Sequence, residues 1–295
     1  MITRTHIPGD TWLYYKIYSG EKTADRLLIE VIHPLMETLQ KEGLVSLWFF
    51  IRYNDPLPHI RLRMYVAHPE HLGVLILRLH QALQPWVQND TIHYLSIDNY
   101  QRELERYGVA HMELVEQLFA IDSVHTLRLL AWDADESTRL YYALVNMHQT
   151  LHAFQLPEAQ LLQLIAQSTT AFKAEFKANK KTNQQLNEKF KMHRQSLMGY
   201  LAEPPQPVSP LTEILQRKRA ADQPVIAQLL TTPSNVPLSN LLNSLLHMQL
   251  NRIFYNRQRQ YEMLCYDFLA RWYAYKPYQP ANDHTNENHS SLSKI

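Results

Sequence analysis

A chain of 295 residues with 45% hydrophobic side chains can bury a core of ordinary size, as one large domain or two packed subdomains. Its 29 basic and 28 acidic side chains nearly cancel, so no global field serves nucleic acid or an anionic membrane, and a positive site has to be built locally. The single cysteine, Cys265, excludes an internal disulfide, six glycines without a G-x-G-x-x-G or Walker run remove most nucleotide-binding loops, and no apolar run of about 18 residues offers a membrane span.

The first ten residues are polar and unlike a secretion signal, and with the lone cysteine they give the expectation of a cytoplasmic protein. Trp12 to Tyr18 is rich in aromatics and ends at Ser19-Gly20, which predicts a strand closed by a turn. Leu27, Leu28, Val31, Ile32, Leu35, Met36 and Leu39 recur at helical spacing over 22–42, with a kink or break predicted at Pro34. A second strand follows over Leu47 to Tyr53, then the dense turn chemistry of Asn54-Asp55-Pro56-Leu57-Pro58. Beyond it Ile60, Leu62 and Met64 alternate with Arg61, Arg63 and Tyr65, the pattern of a hairpin with one apolar face.

Residues 69–86 read as helix and His93 to Ile97 as strand. From Tyr100 the pattern is helical, with stretches expected at 100–119, 122–132, 136–154, 157–177, 183–201, 209–221, 238–251 and 253–275. The polar segment Lys177 to Asn187 and the proline-rich Ala202 to Pro207 are candidate loops, and the segment after Pro277 reads as a mobile tail. The fold class is therefore α+β, with N-terminal strands and an antiparallel hairpin ahead of a mostly helical C-terminal half.

Strand alternation puts His59, Arg61, Arg63 and Tyr65 on one side of the hairpin, with the two guanidiniums about 7 Å apart. Like charges so close call for an anion between them, and guanidinium forks suit carboxylate or phosphate oxygens. A solvent-facing strand whose arginines pair with surface acids is the alternative, and the adjoining Arg52, Asp55 and His59 favour a site. Arg102 and Arg106 would share a helix face at i and i+4, where Glu103 and Glu105 could neutralise them. His247 and Asn251 likewise share a face in Leu245 to Arg252; an apolar helix more often holds a core histidine, but beside arginines it becomes an acid or base near neutral pH. His148 and His152 lack the companions of a metal site, no G-x-S-x-G occurs, and Cys265 lies in an aromatic-rich helix, so neither a metal nor covalent catalysis is expected.

Several of these runs, in order, resemble a known family: Tyr14 to Tyr18, Phe50 to Pro56, His59 to Arg63, Glu105-Arg106-Tyr107-Gly108, Asp122-Ser123, Leu246-His247-Met248 and Asn251-Arg252. Together they are similar to the thiopeptide-type bacteriocin biosynthesis domain, the glutamate-elimination domain of class I lanthipeptide dehydratases. The resemblance implies one elimination-type domain over 1–276, strand-rich over 1–99 and helical over 100–276, with 277–295 as a tail. It implies a lyase, without a cofactor, that removes glutamate from glutamylated serine or threonine of a precursor peptide, leaving dehydroalanine or dehydrobutyrine. His247, Arg61 and Arg63 would then be catalytic, and Arg52, His59, Arg102, Arg106, Asn251 and Arg252 would bind substrate.

The implied partners are the glutamylated precursor peptide and a separate tRNA-dependent glutamylating protein, because the larger domain that attaches glutamate in full-length relatives has no room in this chain. Neither direct nucleic-acid contact nor a membrane is expected, and a homodimer is compatible with the resemblance. The competing expectations are a pyridine-forming [4+2] cyclase of thiopeptide maturation, which has no glutamate to hold, and a non-catalytic peptide-binding subunit of a dehydratase complex.

Overall fold

The computed structural model describes residues 2–132, 134–202 and 209–275; the tail expected at 277–295 and most of the expected 202–207 loop lie outside them. A two-residue strand β1 (Thr5–His6) precedes β2 (Trp12–Ser19), whose side chains are almost all buried. The predicted helix over 22–42 forms as α1 (Glu21–Leu27), a π-helical turn (Leu28–Ile32) and α2 (His33–Lys41). Pro34 lies just inside α2, so the proline expected to disturb this helix follows a widened turn instead of a break.

The hairpin forms as expected from β3 (Leu47–Asn54) and β4 (Pro58–Tyr65). After a short 3₁₀ turn come α3 (Leu72–Gln88) and β5 (Ile92–Ile97). The four long strands make one antiparallel sheet in the order β3-β4-β2-β5. Register places Phe49 and Tyr14 beside Arg63, Ile51 and Lys16 beside Arg61, and Tyr53 and Tyr18 beside His59. The opposite face carries Leu13, Tyr15, Ile17, Trp48, Phe50, Ile60, Leu62 and Met64, buried with Leu27, Ile32, Met36, Leu39, Leu75 and Leu79 of the helices.

The region expected as one helix over 100–119 is different. Tyr100–Gln101 is a strand, β6, paired with β1, and the helix α4 (Leu104–Tyr107) is a single turn. Gly108 ends it at φ +84°, where an added Cβ would also lie 2.5 Å from the Ser234 hydroxyl, so this position admits glycine on both counts. Arg102 therefore precedes the helix, and the face it was expected to share with Arg106 does not exist.

The expected helices on either side of 120 are one, α5 (Met112–Ala131), followed by α6 (Glu136–Ala153) and α7 (Glu158–Glu175). Capping by Asn179 starts α8 (Lys180–Tyr200) inside the segment expected as a loop. A second capping box at Ser209 starts α9 (Pro210–Thr231), which runs on past Pro224 beyond its expected end. The last two helices are α10 (Leu238–Ile253) and α11 (Gln258–Tyr275), separated by a turn in which Arg257 takes φ +49°. Trp12, Tyr14 and Phe49, at one end of the second sheet face, join the helical core.

The outer edge of β3 is sealed by side chains from the helical half. Ser123 Oγ accepts from the Phe50 N–H at 3.2 Å, and Arg252 Nε donates to the Phe50 carbonyl at 2.8 Å. One step along, the Asn251 amide accepts from the Arg52 N–H and donates to the Arg52 carbonyl, both at 2.8 Å, reproducing the pairing of a neighbouring strand. Asn251→Leu leaves both backbone groups of Arg52 unpaired at about 1–3 kcal/mol each, and the expected outcome is a loss of about 2–5 kcal/mol in denaturant unfolding. An unchanged unfolding midpoint would contradict the sealing role.

Candidate functional site

The open part of the second sheet face and the segment 98–106 enclose a cleft of about 460 Å³. Six cations line it: Arg4, Lys16, Arg61, Arg63, Arg102 and Arg106. Four are answered by carboxylates. Lys16 pairs with Asp98, Arg4 with Glu105, and Arg106 with Glu103 at 2.8 Å. Arg102 makes a buried two-pronged contact with Glu116, Nε to Oε1 at 2.8 Å and Nη2 to Oε2 at 2.7 Å, and the same carboxylate accepts from the Tyr100 hydroxyl.

Arg61 and Arg63 have no carboxylate partner among the described residues. The Arg63 guanidinium lies against the rings of Tyr100 and Tyr14, at 4.6 and 4.7 Å from their centroids, and its buried Nε has no hydrogen-bond acceptor among the described residues. Burial of a guanidinium is costly unless charge answers it, and ring faces return only part of that cost. Arg61 lies flat on Tyr53, 3.4 Å from the centroid, with its Nε donating to His59 Nε2 at 3.1 Å.

His59 must therefore be neutral, with its lone pair on Nε2 and the Nδ1 proton donated to the Leu57 carbonyl at 2.9 Å. Burial, and after it the charges of Arg61 and Lys16, hold its pKa below the ordinary histidine range against that carbonyl. Tyr18 stacks on the same imidazole at 4.5 Å, so an aromatic and histidine wall fixes Arg61 while its two terminal nitrogens have no hydrogen-bond acceptor among the described residues.

His247 opens onto a different cleft, of about 490 Å³, beside the α10–α11 turn. The two clefts have no lining residue in common. Tyr53 connects them, since it lines the His247 cleft and its ring carries Arg61. Arg52 and Asn251 also line this second cleft. Arg52 Nη2 pairs with Asp25 at 2.5 Å and its Nε donates to the Arg252 carbonyl, while Asn251 is engaged with the β3 edge. Arg252 is fully buried, with Nη1 on Asp122 at 3.1 Å and on the Met248 carbonyl.

The fold thus brings Arg61, Arg63, Arg102 and Arg106 together and His247 with Asn251, but not the two groups into one cavity. Glu116, Asp25 and Tyr53's role under Arg61 were not found from sequence; buried carboxylates in helices have the spacing of surface ones, and only the tertiary fold reveals them. Burial pushes the Cys265 thiol up, which excludes a ready nucleophile there, and no three His, Cys, Asp or Glu side chains among the described residues are grouped to hold a metal. No helix among them is long and apolar enough to cross a membrane.

An α+β chain whose sheet face carries uncompensated arginines, flanked by a histidine cleft, is of a kind suited to acting on an anionic group. The chain belongs to the lantibiotic biosynthesis dehydratase C-terminal family, whose model matches residues 12–273. It is 28% identical over 183 residues to the subtilin biosynthesis protein SpaB of Bacillus subtilis, which covers 60% of this chain and 18% of that protein. To the nisin biosynthesis protein NisB of Lactococcus lactis subsp. lactis it is 31% identical over 121 residues, 41% of this chain and 12% of that one. The chain thus matches less than a fifth of the length of these curated relatives.

Among solved structures, the tRNA dependent lantibiotic dehydratase MibB from Microbispora sp. 107891 superposes with a TM-score of 0.59 at 19% identity, over 92% of this chain and 28% of MibB. The pyridine synthase TbtD from thiomuracin biosynthesis gives 0.59 at 14% identity, over 90% of this chain and 99% of TbtD. At these identities the likeness is one of fold.

Because folded His59 holds its proton less well than an unfolded histidine of pKa about 6.5, the unfolded chain binds more protons just below that pH. Its contribution to stability is complete above about pH 6.5 and is lost as pH falls through the lowered folded value. His59→Gln is expected to flatten the fall in thermal stability between pH 7.5 and 5.5; an identical fall in the variant would contradict the neutral brace.

Proposed function

We propose that this chain eliminates glutamate from glutamylated serine or threonine side chains of a ribosomally made precursor peptide. The observation that carries the reading is the pair of arginines, Arg61 and Arg63, left without a carboxylate in a cleft where four other cations have one. A glutamyl ester has one carboxylate charged throughout, and its ester carboxyl becomes a second as the Cβ–O bond breaks and the side-chain oxygen leaves with glutamate. Two fixed guanidiniums suit that pair, and the one meeting the developing charge stabilises the transition state more than the ground state.

The reaction removes the Cα proton, forms the Cα=Cβ bond and expels glutamate as its carboxylate. His247 is the proposed base and carries that proton away. A substrate with its glutamyl group against Arg61 and Arg63 would pass over Tyr53, putting the residue's Cα toward the His247 cleft. Arg106, exposed and ion-paired with its neighbour Glu103, is the proposed third contact for glutamate, whereas Arg52, Arg102, Asn251 and Arg252 serve the framework. The substrate is then the glutamylated peptide, supplied by a glutamylating activity that acts before this one.

Pyridine-forming cyclisation is the second reading, favoured by a fold match that extends over almost the whole of TbtD. It gives no occupation to the unanswered arginines, and the subtilin and nisin proteins are nearer in sequence.

Incubation with a chemically glutamylated peptide, followed by mass spectrometry, is expected to show loss of glutamate with formation of the dehydro residue. Arg61→Ala and Arg63→Ala should each lower kcat/KM about 10- to 100-fold, the value of one charge-assisted contact of about 1.5–3 kcal/mol. Arg102→Met should instead lower thermal stability, because it strands Glu116. No glutamate loss by the wild-type protein would overturn the reading, and pyridine formation from a didehydro peptide would favour the cyclase.

A further inference from the structure

His247 does not stand alone in its cleft. Its Nδ1 lies 2.9 Å from Oε1 of Glu262, a carboxylate that is 1% exposed and one helical turn beyond the start of α11. The same Oε1 accepts from Gln258 Nε2 at 2.9 Å, and Oε2 accepts from Arg259 Nη1 at 3.0 Å. Gln258 Nε2 also lies 3.4 Å from Nδ1, but its shorter contact is with Oε1; a carboxylate is acceptor-only and three donors converge on it, so Nδ1 is the nitrogen that carries the imidazole proton. Nε2, which no described residue engages, is left with its lone pair in the cleft.

The clamp is tied to the sheet. Gln258 Oε1 accepts from Asn251 Nδ2 at 2.9 Å, and that same amide nitrogen donates to the Arg52 carbonyl in β3, next to Tyr53. The imidazole orientation is therefore set by a continuous chain of hydrogen bonds from the edge of the arginine-bearing sheet through Asn251, Gln258 and Glu262.

We infer that Glu262 is a positioning residue that fixes His247 in the Nδ1–H tautomer and aims the Nε2 lone pair at the substrate. The inference rests on the proposed role of His247 as the base, but the tautomer can be read without turnover. A histidine held this way keeps one nitrogen permanently available for accepting a proton, where a free imidazole divides its neutral form between two tautomers.

Nitrogen-15 spectra of histidine-labelled protein at pH 8.5, with the His247 signals assigned by their loss in His247→Gln, test the inference. The expected wild-type pattern is a protonated Nδ1 and an unprotonated Nε2. In Glu262→Gln the charged Arg259 would keep the amide oxygen at the Oε2 position, so the amide nitrogen replaces Oε1 and faces the imidazole, and the ring proton is expected to move to Nε2. In glutamate elimination the same variant should lose about 10- to 1,000-fold in kcat with KM changed less than about twofold, by analogy with the orienting carboxylate of other histidine bases.

A wild-type Nε2–H tautomer, or an unchanged spectrum in Glu262→Gln, would overturn the inference. Should that variant fail to fold, the wild-type spectrum decides by itself. The expected tautomer in a protein that releases no glutamate would uphold the Glu262–His247 pair while removing the elimination reading.

Discussion

Everything that gives this fold a site depends on how the free edge of β3 is closed. A sheet edge presents backbone groups that must find partners, and here the partners are Ser123, Asn251 and Arg252, delivered by two helices far along the chain. The docking is specific because it uses a residue-by-residue match of donors and acceptors, which hydrophobic contact alone does not supply. It also explains why Asn251-Arg252 follows His247 in the same helix. The residues that seal the edge and the residue that faces the cleft share one rigid element, so closing the sheet sets the position of the imidazole.

The cationic cleft shows how the protein separates structural charge from available charge. Arg102 has the chemistry to bind an anion, yet Glu116 takes both prongs of its guanidinium, and removing either partner would leave the other buried and unanswered. Arg252 is similarly enclosed by Asp122 and backbone carbonyls. Arg61 and Arg63 are held by rings and a neutral histidine instead, which fix position without cancelling charge. The field inside the cleft is therefore pre-arranged before any ligand arrives, the condition under which electrostatic stabilisation is most effective.

Much of the N-terminal half was legible because period-2 alternation is strong there: Ile60, Leu62 and Met64 against Arg61 and Arg63 fix both the hairpin and its charged face. The turn residues at 54–58 marked where the hairpin reverses, while its register came from the fold. Tyr100–Gln101 was misread because a two-residue strand has no period of its own and exists only through pairing with Thr5–His6. The resulting error in the segment 100–119 also misplaced Arg102. Glu262, Gln258 and Glu116 escaped notice for a different reason, since each is an ordinary polar residue in a helix until the fold buries it against a base or a cation. The sequence pattern identifies which residues can carry charge, but the fold decides which charges remain unanswered.

In the proposed reaction one substrate occupies both clefts, with its glutamyl carboxylates on Arg61 and Arg63 and its reacting Cα beside His247. The most direct measurement is a crystal structure of the protein with a peptide carrying a non-eliminating, amide-linked glutamyl group. Carboxylate oxygens are expected within hydrogen-bond distance of both guanidiniums, with the peptide crossing Tyr53 so that Cα approaches His247 Nε2. A glutamyl group bound away from Arg61 and Arg63, or a peptide that never reaches the His247 cleft, would contradict it.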